Sequence, residues 1–167
     1  MTLPIALSGQ DIIGQAKTGT GKTLGFGVPM LDRVVSPADP EFATLSYAGR
    51  PQALAVAPTR ELAAQIRERL DDPAGALGLR VLDVVGGVNI NHHIRALASP
   101  VDLLVATPGR AEDLINQKKL SLDSVEMSAL DEADQMLDLG FIHALRKIAT
   151  LIPKQRQTLL FSATMPK

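Results

Sequence analysis

The sequence predicts an α/β domain built on a mostly parallel β-sheet with helices on both faces. Three observations carry that expectation. Short apolar runs alternate with longer amphipathic stretches along the whole chain. Turn signals separate them, so the chain reads as successive strand–helix–strand units, which require a parallel sheet. Its 167 residues suit one domain, with little room for a second.

The elements follow in order. Asp11 to Ala16 reads as a strand and Lys22 to about Val35 as a helix. Residues 36 to 51 hold Pro37, Pro40 and Pro51 and read as a long loop. Gln52 to Ala57 is the next strand. Thr59 to Leu70 is a helix, with Leu62, Ile66 and Leu70 on one side and Thr59 able to cap it. Arg80 to Val85 is a strand, Asn89 to Ala98 a helix, Asp102 to Ala106 a strand and Gly109 to Gln117 a helix. Ser124 to Leu130 is a strand ending in acids. Residues 133 to 139 and 141 to 151 read as helices, and Gln157 to Phe161 as the last strand. Ligands of such sheets sit at the carboxyl ends of the strands, so a motif that carries chemistry should fall there.

Composition narrows the function. There are no cysteines, which excludes disulfides, thiolate metal sites and cysteine nucleophiles and fits a cytoplasmic protein. Aromatic residues are 3% of the chain, too few for a base-stacking platform. With 17 Lys and Arg against 18 Asp and Glu, indiscriminate electrostatic binding of nucleic acid is disfavoured, whereas a few placed phosphate contacts are not. The apolar start, Met1 to Leu7, lacks a basic region and breaks at Ser8-Gly9, so neither a signal peptide nor a membrane partner is expected.

Two constellations carry chemistry. Ala16-Lys17-Thr18-Gly19-Thr20-Gly21-Lys22-Thr23 lies between the first strand and the first helix, where a phosphate-binding loop belongs. Gly19 and Gly21 let backbone N–H groups approach phosphate oxygens, and the helix N-terminus adds partial positive charge. Lys22 can bridge β- and γ-phosphates, and the Thr23 hydroxyl can ligate Mg²⁺. The usual pattern asks for glycine where this chain has Ala16; an ordinary Gly-rich turn beside a surface lysine is the competing reading. The second constellation, Asp131-Glu132-Ala133-Asp134, closes a strand. Asp131 can hold Mg²⁺, directly or through water, opposite Thr23. Glu132 can orient the attacking water and accept its proton. Asp134 is expected to tie this turn to another segment. The competing reading is a set of acids complementing a helix dipole.

At these residues the chain resembles the DEAD-box family of ATP-dependent RNA helicases. Ala16 to Thr23 looks like the family's nucleotide motif in its Ala-first form, and Asp131 to Asp134 spells the family's name. Pro58-Thr59-Arg60-Glu61-Leu62-Ala63, Gly86-Gly87 and Thr107-Pro108-Gly109-Arg110 resemble its RNA-contact motifs. Met136 to Phe141 fits the usual continuation, and Ser162-Ala163-Thr164 resembles the motif that links hydrolysis to RNA binding. The resemblance covers nearly the whole chain, in family order. It implies a RecA-like domain that binds ATP and Mg²⁺, with single-stranded or duplex RNA as partner. Lys22, Asp131 and Glu132 would be catalytic; Pro58, Thr59, Arg60, Gly87, Thr107, Gly109 and Arg110 would touch RNA; Asp134, Ser162 and Thr164 would couple the two.

The RNA segments make physical sense unaided. Thr59 and Gly109 lie where helices begin just after strands, so free N–H groups and hydroxyls can take phosphate oxygens. Gly87 allows close backbone approach. Arg60 and Arg110 can add ionic contacts; alternatively Arg60 braces its own helix and Arg110 pairs with Glu112 or Asp113.

The resemblance also sets expectations about extent. The family's adenine-recognition segment would precede Leu3-Pro4, and its second RecA-like domain would follow Ser162 to Thr164. Residues 1–167 are thus expected to form a single first RecA-like domain, cut at both ends, binding nucleotide weakly with little turnover. A non-catalytic RNA-binding or adaptor module keeping the fold is the alternative. A GTPase would carry an Asn-Lys-x-Asp guanine reader, which is absent. His92-His93 lack metal-ligand partners at suitable spacing and read as a solvated helix face.

Overall fold

A computed structural model describes residues 12–15, 22–34, 48–154 and 157–162. Six strands form one sheet: β1 (Ile12–Gln15), β2 (Ala53–Val56), β3 (Val81–Val84), β4 (Leu103–Ala106), β5 (Met127–Leu130) and β6 (Gln157–Ser162). Their spatial order is β1-β6-β5-β2-β4-β3, and every pairing is parallel. The helices are α1 (Lys22–Arg33), α2 (Arg60–Ala76), α3 (Ile90–Leu97), α4 (Pro108–Asn116), α5 (Ala133–Asp138) and α6 (Ile142–Leu151). Among the described residues, no helix is long and apolar enough to cross a membrane.

The period-two alternation of strand side chains sorts the core into two layers. Ala53 and Ala55 of β2, with Met127 and Ala129 of β5, pack under Met30 of α1 and Ile66 and Leu70 of α2. The next residue along, Leu54 or Val56 on β2 and Leu104 or Ala106 on β4, turns to the opposite face. There it meets Leu97 of α3, Leu114 of α4, Met136 of α5 and Ile148 of α6. Both faces are therefore covered, and the strands can be apolar throughout. Small residues let the first layer close tightly. A Cβ on Gly27 of α1 would lie 2.6 Å from Leu70 Cδ2 of α2.

Among the boundaries that differ from the sequence expectation, three have a clear physical reason. α2 runs six residues past Leu70, through Pro73, because Ala74 continues the buried stripe of Ala63, Ile66 and Leu70. Pro73 is exposed, so its ring meets solvent rather than the core. β5 begins at Met127 rather than Ser124, since Val125 N–H turns back to Leu122 O (3.2 Å). α4 begins at Pro108, not Gly109; proline suits a first helical position because its missing N–H would have no helical partner. Residues 36–47 of the expected loop lie outside the described residues.

One carboxylate fastens the amino-terminal end of the sheet. Asp102, just before β4, is buried. It accepts from Arg80 N–H (2.8 Å), ahead of β3, and from Gln52 Nε2 (3.3 Å), ahead of β2. Replacing Asp102 with Ala leaves these donors without that acceptor and is expected to cost about 1–3 kcal/mol. A urea unfolding midpoint lowered accordingly, with partial recovery in Asp102→Asn, is the check.

Candidate nucleotide and RNA site

The strand register places six chain segments on one edge. Gln15, Ser162, Leu130, Val56, Ala106 and Val84 are the last residues of β1, β6, β5, β2, β4 and β3. Gln15 is level with Ser162, Val56 with both Leu130 and Ala106, and Ala106 with Val84. Each motif singled out in the sequence starts at or just after one of these ends.

The first half of the edge holds the segments expected to meet a nucleotide. β1 ends at Gln15 and α1 opens at Lys22, so residues 16–21 join a strand end to a helix N-terminus. Ala16, Lys17, Thr18, Gly19, Thr20 and Gly21 lie outside the described residues, as do Thr164 and the side chains of Lys22 and Thr23. β6 lies between β1 and β5. Leu130 is level with Leu160, two residues before Ser162, so the ends of β1 and β5 lie two strand spacings, roughly 10 Å, apart across the sheet and are offset along it by two residues.

The acidic turn is held from three sides. Asp131 is 1% exposed, and its N–H donates to Val56 O of β2 (2.9 Å). Asp134 N–H donates to Ser162 Oγ of β6 (3.3 Å). Met136 N–H donates to Glu132 O (3.2 Å) as α5 starts. Between these anchors Glu132 adopts φ 53°, ψ 52°. That left-handed conformation costs a residue with a Cβ about 1–2 kcal/mol. The surrounding bonds impose it, and strain of this kind collects where a side chain must be aimed. Among the described residues no cluster of three or more His, Cys, Asp or Glu could hold a metal unaided. Mg²⁺ carried by a nucleotide needs none, because it keeps its waters and takes one or two carboxylates plus phosphate oxygens. Asp131, a buried carboxylate at the end of β5, fits that donor set.

The other half of the edge holds the segments with RNA-contact character. Thr59 caps α2, its Oγ1 accepting from Leu62 N–H (3.2 Å). Pro58 is buried beneath it. Arg60 is exposed and donates through Nε to Glu61 (3.2 Å). A solvated pair of this kind holds the guanidinium only weakly. Gly87 has φ +81°, and a Cβ there would lie 2.7 Å from Arg60 Nη1. The glycine is thus needed for its backbone angle, whereas the exposed arginine tip is free to shift aside. Thr107 does not cap its own helix; its Oγ1 accepts from Gly86 N–H (3.3 Å) and stitches the β3 and β4 turns together. Gly109 follows Pro108 in the first turn of α4. Arg110 pairs with neither Glu112 nor Asp113. Its Nη1 donates to Val88 O (2.8 Å) and meets His93 Nδ1 (2.9 Å).

A family profile described as DEAD/DEAH box helicase matches residues 1–167. The chain belongs to the DEAD/DEAH box helicase family. Relatives named DEAD-box ATP-dependent RNA helicase CshA, from Streptococcus pneumoniae serotype 4 and from Bacillus cereus, are each 48% identical over 165 residues. ATP-dependent RNA helicase CshA of Listeria monocytogenes serovar 1/2a is 47% identical over the same length. Each match covers 99% of this chain, and the chain spans about 30% of the length of these relatives.

One side chain in this helicase domain departs from the sequence reading. His92 is exposed as expected, but His93 is 3% exposed. The register of α3 holds the signal. Leu97 is buried and Ile90 and Ile94 are half-buried on one side of the helix, and position 93 falls on that side. A histidine there must find a polar partner or bury a polar atom unpaired. Arg110 is that partner, 17 residues away and on another helix.

Proposed function

We propose that the chain is the ATP-binding first RecA-like domain of an ATP-dependent RNA helicase, working with a second such domain. The single observation that carries this reading is the division of the sheet edge. β1, β6 and β5 lead into the segments with nucleotide chemistry, whereas β2, β4 and β3 lead into those suited to RNA phosphates. The two halves meet where Asp131 N–H bonds Val56 O.

On the nucleotide half, the loop 16–21 and the N-terminus of α1 cradle the triphosphate, with Lys22 reaching its β- and γ-phosphates. Thr23 and Asp131 would hold Mg²⁺, directly or through water. When bound, Mg²⁺ neutralises charge on the phosphate oxygens. Glu132 orients the attacking water and accepts its proton. On the RNA half, Pro58, Thr59, Arg60, Gly87, Thr107, Gly109 and Arg110 track a sugar-phosphate backbone. Such contacts fix register without reading sequence. The Asp134–Ser162 bond ties the acidic turn to the strand that leads into Thr164, so a shift at one ligand is felt at the other.

Backbone amide NMR with two titrants tests this assignment. ATP·Mg²⁺ should shift the 16–23 and 131–134 amides, and single-stranded RNA the 58–60, 86–88 and 107–110 amides. Shifts that ignore this division, or none with either titrant, would contradict it.

A further inference from the structure

Arg110 is the third residue of α4, at the mouth of the turn that follows β4. Among the described residues, both of its contacts fall on one nitrogen: Nη1 faces Val88 O at 2.8 Å and His93 Nδ1 at 2.9 Å. Arginine only donates, so Nδ1 must be the bare nitrogen of a neutral ring with its proton on Nε2. Among the described residues no carboxylate forms an ion pair with Arg110. Among the described residues no acceptor meets the Nε–H and Nη2–H edge, and that planar fork matches two oxygens of a phosphate. His93 itself is fixed, buried on the α3 stripe with Leu97.

We infer that His93 is a positioning residue for RNA binding: its neutral Nδ1, together with the Val88 carbonyl, sets the Arg110 fork toward a phosphate of the RNA backbone. The inference rests on reading Arg110 as an RNA contact. It adds a chemical condition, because the brace exists only while the ring is neutral. Burial, and then the Arg110 charge, push the His93 pKa below its ordinary 6.5. Asp83 of β3 pulls it upward and His92 of α3 pushes it down. Asp83 is itself held by Arg67 of α2. Once protonated, Nδ1 becomes a donor facing a cation, and the contact turns repulsive. RNA affinity should therefore fall at a proton-linked step below neutrality, beyond any change shared by other surface charges.

Fluorescence anisotropy of the 167-residue chain with a labelled single-stranded RNA, at constant salt and at pH 7.5 and 5.5, tests this. At pH 7.5, His93→Leu should bind about tenfold more weakly, as Arg110→Ala should, from loss of one charge-assisted phosphate contact. The double variant should lose nothing more. His93→Gln, whose side-chain oxygen still accepts, should keep affinity at pH 7.5 and lose the acid step. If His93→Leu fails to fold by circular dichroism, the pH profiles of wild type and His93→Gln decide. Identical pH profiles for those two would overturn the inference, while weak binding by Arg110→Ala would leave the RNA face intact. Wild-type affinity in Arg110→Ala would overturn both.

Discussion

In a protein joining this domain to its second RecA-like domain, Glu132→Gln should cut RNA-stimulated ATP turnover about 10²–10⁴-fold, the range for losing a general base. ATP binding should be nearly unchanged, because the amide keeps the size and reach of the carboxylate but cannot accept the water's proton. The backbone sharpens the prediction. Glu132 sits at φ 53°, a conformation that glutamine pays for as glutamate does and glycine does not. Glu132→Gly should thus be inactive yet more stable, by about 1 kcal/mol or less after glycine's own entropy cost. Gain of stability with loss of activity is expected where strain serves a site. A single-turnover measurement with radiolabelled ATP, beside thermal melts of both variants, checks the pair. Turnover near wild type in Glu132→Gln would remove the carboxylate from its role.

Lys22→Ala carries the second large effect. Lys22 opens α1 directly after the loop that leaves β1. A lysine there adds a full charge to the partial charge of the helix terminus and the loop N–H groups. Losing one charged hydrogen bond to phosphate costs about 1.5–3 kcal/mol, so Kd for ATP·Mg²⁺ should rise roughly 10–150-fold. AMP, which lacks the β- and γ-phosphates, should be affected far less. Isothermal titration with ATP, ADP and AMP separates the two cases. Equal binding of ATP by wild type and variant would show that the loop backbone, rather than the ammonium, does the holding.

The parallel α/β architecture was legible because each strand and helix announces itself locally. Runs such as Ala53 to Val56 and Leu103 to Ala106 are apolar throughout, as strands buried on both faces must be. The Thr59 cap was legible too, since a cap is decided within three residues. What escaped was set at long range. The order β1-β6-β5-β2-β4-β3, which divides the edge into two halves, is written in no single segment. Local spacing offers Arg110 the acids on its own helix, but the turn after β3 and helix α3 supply its contacts. Pro73 reads in the sequence as a helix breaker, although Ala74 still has a core to meet. The left-handed angle at Glu132 was invisible because glutamate gives no hint of it, unlike the glycine at 87.

The central claim is that one edge of the sheet brings the loop after β1 and the acids after β5 around a single nucleotide and its divalent ion. Replacing Mg²⁺ by Mn²⁺ tests it, since paramagnetic broadening of amide signals reaches residues near the ion. With ATP·Mn²⁺ bound, amides of residues 18–23 and of 131–134 should broaden together and most strongly, with the effect falling off toward Arg80 and Asp102, ahead of β3 and β4. Broadening of one segment without the other, or of both in the absence of ATP, would contradict the shared site.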